Sequence, residues 1–561
     1  MRSSLHGTTG TIDGRRKFLQ GVGFGMLGLG GTASASEPAH AGAQASIVDY
    51  GAIADGKTNN AKAIQLAIET VAHRGGGVVY VPPGRFLTGG IELRSHITLY
   101  LEVGAVLLGS QKLEDYLYHP GPPVEADANG RHLVFARDCE DVEIAGLGTI
   151  DGQGAAFWVK TGRTEPAPGD LWRDVIAMDW KEATPRRPSP MLEFASCTNL
   201  RIRDITLANP AGWTMRPVGC NSVFITGIRV RNPNYAPNSD GIDVSCSQNV
   251  VISGCDIAAG DDAICLKSEN PYGELLPTRN IVVSDCVLTT SSNGFKIGTA
   301  TNGRIENISF SNSVIYNGDV PLNERVIAGI AIEMVDGGTL DGVTISNIRM
   351  QNVRTPIFIR LSHRHAGADT CLRNVMIRGI NATGAILTSS ITGMPDAKVE
   401  EITISDVVLR TQEQGEKGWG SEVPEVATEY PEARMFGRLP AYGLYVRHAK
   451  GIRLRNVEII ADAPDPRPAI VCDDVTDLTI SGFESTNAAP VDPLIALRDT
   501  THAYLHGSRA SEKTKLFLQV TGTRSDRIVL GANDYGGAES VFSCTDGAKE
   551  SAVYGSHLRE P

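Results

Sequence analysis

The chain has 561 residues, 21% of them charged and 41% hydrophobic, a balance that supplies a large core and argues against a disordered chain or a coiled coil. Glycine accounts for 61 residues without Gly-X-Y periodicity, which predicts frequent turns and an all-β chain rather than collagen. A formal net charge of −12 excludes broad electrostatic capture of nucleic acid or an anionic membrane, so any anionic ligand must be held by a local basic site.

Residues 1–35 read as a twin-arginine export signal. Arg15-Arg16-Lys17-Phe18-Leu19 precedes a glycine-rich apolar run from Gly21 to Gly31, and Ala33-Ser34-Ala35 offers a small-residue cleavage site. Glycines this dense make a poor buried helix. The expected product is a periplasmic or extracellular protein with no membrane insertion after signal removal. The ten cysteines include no CxxC pair and no zinc spacing; those in short β-like runs, such as Cys255, Cys265 and Cys286, read as small buried hydrophobes.

After Ala45, residues 59–74 place Ala63, Ile64, Ala67, Ile68 and Val71 on one helical face behind Asn and Thr capping candidates, which predicts one amphipathic helix. Beyond it a short β-branched run keeps returning, led by a polar residue: Asn199-Leu200-Arg201-Ile202, Ser222-Val223-Phe224-Ile225, Asn249-Val250-Val251-Ile252, Asn280-Ile281-Val282-Val283 and Asn307-Ile308-Ser309-Phe310. Such intervals are too long for hairpins and too helix-poor for βαβ units. Each predicts one coil of a single-stranded right-handed parallel β-helix, with helix 59–74 capping its open end. A β-propeller would need four antiparallel strands in each longer blade. The expected organisation is a β-helix over 46–540, an aromatic-rich loop insertion at 411–448 and a C-terminal tail at 541–561. That insertion either walls off one end of a cleft or only packs onto the coils.

Two polar motifs lie one coil apart. Asn238-Ser239-Asp240-Gly241 is followed, 21 residues after Asp240, by Gly260-Asp261-Asp262. Stacked coils would bring the three carboxylates together, where they cannot all ionise at their usual pKa values. A protonated acid beside an ionised base is what glycosidic hydrolysis requires. Solvated turn carboxylates or a calcium site are the alternatives that spacing leaves open.

These motifs, with Asp49-Tyr50-Gly51, Val81-Pro82-Pro83-Gly84, Ile150-Asp151-Gly152-Gln153-Gly154 and Asn209-Pro210-Ala211-Gly212-Trp213, resemble glycoside hydrolase family 28, the polygalacturonase family, over roughly residues 46–360. The resemblance implies a pectin-lyase-like β-helix, an inverting attack on α-glycosidic bonds of pectic polysaccharide, Asp261 as general acid, and Asp240 and Asp262 holding and deprotonating the water. No cofactor and no metal are expected, the expected partner is a pectic polysaccharide or oligosaccharide, and the chain is read as a monomer. Two departures bear on substrate. Asn293 stands where the family's Gly-His-Gly has histidine, and Ala331 and Glu333 stand where its Arg-Ile-Lys grips a uronate carboxylate. A carboxylate there should repel a uronate. Asn238, Asn293, Lys267, Lys296 and Arg360 are the candidate substrate-binding residues. A calcium-dependent β-helix lyase and a non-catalytic carbohydrate-binding β-helix stay open as alternatives, the substituted motifs marking decay of the site in the second.

Overall fold

The computed structural model describes residues 43–119, 130–162, 179–182, 187–365 and 369–555. The export signal expected at 1–35 lies outside the described residues.

Helix α1, Ala61–His73, buries Ile64, Ala67, Ile68 and Val71 against the first strands of the β-helix, Ala43–Ser46 and Gly77–Val81. Each such side chain removed from water stabilises the fold by about 1.5–3 kcal/mol, less for alanine. The capping signal divides between two residues. Asn59 Oδ1 accepts the Ala61 N–H at 3.0 Å, whereas the Asn60 side chain bonds both backbone groups of Ile53 and the carbonyls of Thr58 and Leu87. Asn60 therefore ties the helix start to the coil instead of capping it.

The repeat predicted from sequence is the coil of a right-handed parallel β-helix. Leu200 pairs with Val223, then Val250, Ile281, Ile308, Val343, Val375, Ile402, Ile452 and Leu478 in unbroken parallel register. The residues that open these runs, Asn199, Asn249, Asn280, Asn307 and Asn374, adopt φ of 55–60°, the left-handed region that asparagine tolerates. Their side chains also stack, with Asn249 Nδ2 donating to Asn221 at 2.8 Å, Asn280 to Asn249 at 2.8 Å and Asn307 to Asn280 at 3.1 Å. The polar punctuation is thus a corner ladder that satisfies amides where the chain turns. All ten cysteines are free, and eight are buried.

The ladder continues past residue 540, where a tail was expected. Ala538–Thr545 pairs with Thr514–Thr521, and Val553–Gly555 with Asp526–Gly531. The weak hydropathy of these last strands hid them, since the final coils bury little on either face.

Candidate active site

One face of the β-helix carries the chemistry. Its inner row, Met215, Ile242, Ile264, Phe295, Ile330 and Ile357, fills the core in register. The alternate row, Asp243, Cys265, Lys296, Ala331 and Phe358, points away from it because successive side chains on a strand face opposite sides.

Asp240 and the pair Asp261-Asp262 sit in the turns just before strands Ile242–Ser245 and Ile264–Ser268. Backbone bonds lock these turns together: Gly241 N–H donates to Asp262 O at 2.9 Å, and Ala263 N–H to Asn293 O at 2.9 Å. The motif glycines are steric requirements. A Cβ on Gly241 would lie 2.4 Å from the Ala263 carbonyl, and one on Gly260 would lie 2.5 Å from Ser239 Oγ. One oxygen from each of Asp240, Asp261 and Asp262 falls within 4.8 Å of the others, as the one-coil spacing predicts.

The three carboxyls meet unequal surroundings. Burial alone would raise Asp262, but Lys296, Lys267 and Asn293 outweigh it and hold the group below the ordinary carboxylate range. Its Oδ1 accepts from Asn293 Nδ2 at 2.7 Å and Ser292 Oγ at 3.1 Å, and its Oδ2 lies 3.0 Å from Lys296 Nζ. Asp261, the most exposed of the three, is pushed up to about 7 by burial and by the charge on Asp262. Asp240 is raised well above its usual value by burial and by Asp243, Asp261 and Asp262, and its Oδ1 has no donor among the described residues. At neutral pH the triad thus combines a firmly ionised carboxylate with proton-holding neighbours. Three carboxylates can also chelate a cation, but an ammonium already occupies the Oδ2 side of Asp262.

The candidate binding residues divide. Asn293 and Lys296 join the carboxylates directly. Asn238, at φ of 50°, accepts Arg187 Nη2 at 2.9 Å and shapes the first motif's loop. Lys267, a candidate for substrate binding, is instead buried 4.9 Å over the Trp213 ring and 4.0 Å from Asp243, and acts on the carboxylates through its field. Arg360 is also corrected. Its guanidinium donates to the carbonyls of Glu425 at 2.7 Å and Gly393 at 3.1 Å beneath the Phe436 ring, so it holds the insertion.

Ala331 and Glu333 also differ from the expectation, because both are buried and neither presents itself to a ligand. Ala331 is fully buried in an outer apolar cluster with Phe358, Ala433, Phe436 and Leu439. Glu333 is 1% exposed and lies 3.5 Å from Lys296, with burial pushing its pKa up to about 8 despite that cation. The insertion, bounded by strands ending at Thr411 and starting at Leu444, packs that cluster and also covers the site. Tyr430 OH lies 3.2 Å from Lys296 Nζ, while the residue is 51% exposed. Sequence placed Tyr430 only within the insertion, and no local motif ties it to Lys296, 134 residues away.

The profile of glycosyl hydrolases family 28 matches residues 79–420, and a second, rhamnogalacturonase A/epimerase, pectate lyase-like, matches 44–110. The chain belongs to glycoside hydrolase family 28. It is 28% identical to a probable polygalacturonase of Vitis vinifera over 66% of this chain and 75% of that one, and 27% identical to an exo-poly-alpha-D-galacturonosidase of Dickeya chrysanthemi over 56% and 57%. In three dimensions it resembles a hyperthermoactive exopolygalacturonase from Thermotoga maritima, with a TM-score of 0.55 and 21% identity over 74% of this chain and 91% of that one. A Yersinia enterocolitica family 28 exopolygalacturonase gives 0.50 and 19%, over 82% and 78%. These two likenesses establish the fold.

Proposed function

We propose that the protein is an inverting glycoside hydrolase of pectic polysaccharide. The observation that carries this is the division of labour among the three carboxyls. Asp261, protonated up to about pH 7 and open to solvent, is placed to give its proton to the leaving oxygen, while ionised Asp262 takes a proton from a water that Asp240 helps to hold. The closeness of the carboxyls, within 4.8 Å, would by itself suggest a retaining pair, since inverting pairs usually stand roughly 6.5–9.5 Å apart. The third carboxyl changes that expectation, because two of them can grip the water while the remaining one serves as acid. Incubation with oligogalacturonates and immediate NMR of the first product tests this: the inverted anomer is expected, and the retained anomer would overturn it. A lyase would instead leave an unsaturated, UV-absorbing product and lose activity with a chelator.

Two finer readings belong to the same proposal. Tyr430 stands over Lys296, one coil beyond the catalytic pair, so the insertion limits the groove on that side and favours cleavage near a chain end. Small products accumulating with little loss of viscosity would support it; a rapid fall in viscosity would refute it. We also propose export through the twin-arginine route, in which case Arg15-Arg16→Lys-Lys should strand the precursor in the cytoplasm.

A further inference from the structure

The insertion has a second side. Beyond Tyr445 the outward row of the same sheet continues in register through Val471, Ala496 and Gln519, and the parallel row alongside it runs through Asp473 and Arg498. Over these residues the insertion's Trp419 and Lys417 arch to enclose an open cavity of about 280 Å³. Tyr445 lies four register steps from Lys296, through Ala331, Phe358 and Ser390. At a strand spacing of about 4.8 Å, the cavity is therefore roughly 20–30 Å from the catalytic carboxylates, on the same face.

We infer that this cavity is a second binding site for an acidic saccharide, separate from the catalytic groove. Its chemistry is that of a sugar site: the indole of Trp419, the amide of Gln519, three cations (Lys417, Arg467, Arg498) and two acids (Asp473, Asp492) line a small open space. Two guanidiniums lie against the Trp419 ring, Arg438 at 4.0 Å from its centroid and Arg467, which itself lines the cavity, at 5.2 Å; together they fix its plane while the residue stays partly exposed. The acids below are already matched. Asp473 is 7% exposed and pairs with Arg498 and with Arg447, the latter at 3.5 Å. At the mouth, Lys417 is 76% and Arg498 50% exposed, against Asp492 at 43% and 3.8 Å from Lys417. Both cations already have an acidic neighbour, Arg498 in Asp473 and Lys417 in Asp492, but each keeps half or more of its side chain exposed, so in a chain of net charge −12 this mouth is a local place for a further carboxylate to be received, with the indole alongside for the pyranose ring. A pectic chain bound there would be tethered beside the groove, raising the effective concentration of its remaining length.

The choice of a uronate ligand rests on the pectic reading, whereas the site itself does not, so the test separates them. The full-length Asp261→Asn protein is titrated by calorimetry with octagalacturonate and with a neutral galactan octasaccharide, and Lys417→Glu and Trp419→Ala are compared in that background. Octagalacturonate should bind at two sites per chain, one of which weakens by about tenfold or more in each variant while the other is unchanged. Lys417→Glu is the safer variant, because its exposed side chain carries no packing. A stoichiometry of two that neither variant disturbs would overturn the assignment, as would a single site in the parent protein. Tighter binding of the galactan at the variant-sensitive site would overturn the acidic ligand while leaving the cavity a sugar site. Two-site binding by a protein with no hydrolytic activity on pectins would count against the catalytic reading alone.

Discussion

Glu333 faces Lys296 across 3.5 Å, and Lys296 in turn lies 3.0 Å from Asp262. One ammonium thus stands between two buried carboxyls, and the low-dielectric interior settles which of them keeps a charge. Asp262, nearer and hydrogen-bonded by Asn293, stays ionised; Glu333 holds its proton up to about pH 8. The residue that looked from sequence like a uronate-repelling carboxylate is instead a neutral support for the lysine that fixes the catalytic base.

This arrangement has a stability signature. The unfolded Glu333 side chain ionises near 4.5 and the folded one near 8, so between those values the folded state binds more protons and stability falls as pH rises. Glu333→Gln cannot ionise and escapes that decline. The two proteins should melt alike near about pH 5, and the variant should be more stable by about 1–3 kcal/mol near about pH 8. Thermal melts across that range check it; a variant that loses stability equally at both ends would mean that Glu333 is ionised throughout.

Ala331→Arg, which a family comparison suggests as a way to restore uronate binding, should fail. The methyl is fully buried against Phe358 and Phe436, so a guanidinium there must displace the insertion or remain buried without a partner. Overpacking alone costs about 1–3 kcal/mol, and the charge adds to it. A lowered melting temperature with no gain on polygalacturonan is the expected result. Improved kcat/KM in a well-folded variant would show that the insertion lifts away from this cluster.

How far the sequence carried follows from the range of each signal. The coil register was legible because Leu200, Val223, Val250 and Ile281 recur at one structural position, and the triad because Asp240 and Asp261 are one coil apart. What was not legible lay across long separations. Arg360 and Lys267 look like free cations along the chain, yet Glu425 and Trp213, which engage them, arrive from 65 and 54 residues away. Whether a residue on the outward row meets solvent depends on the insertion above it, and no periodicity encodes that cover.

Asp261→Asn should lower kcat by about 10²–10⁴ without unfolding the protein, since the amide keeps the shape and has no proton to give. Asp262→Asn should cost a comparable factor and also release Lys296. Activity assays beside melting curves check both; a tenth or more of wild-type turnover in Asp261→Asn would remove it from the acid role. In the wild type, kcat/KM should fall as pH rises past about 7, where Asp261 loses its proton, and should persist into acid until Asp262 is protonated, below the usual carboxylate range.

Tyr430 separates two contributions that a single deletion would merge. Its hydroxyl meets Lys296 at 3.2 Å, and its ring, half exposed over the groove, is a stacking surface for a sugar. Tyr430→Phe keeps the ring, so KM should stay within about twofold, while kcat falls modestly as Lys296 loses a partner worth about 0.5–1.5 kcal/mol. Tyr430→Ala removes both and should raise KM by a further factor of about 3–10, the value of one aromatic contact. Steady-state kinetics on the best pectic substrate distinguish the cases. Equal KM in Phe and Ala variants would show that the ring never touches substrate, leaving the tyrosine to hold Lys296 alone.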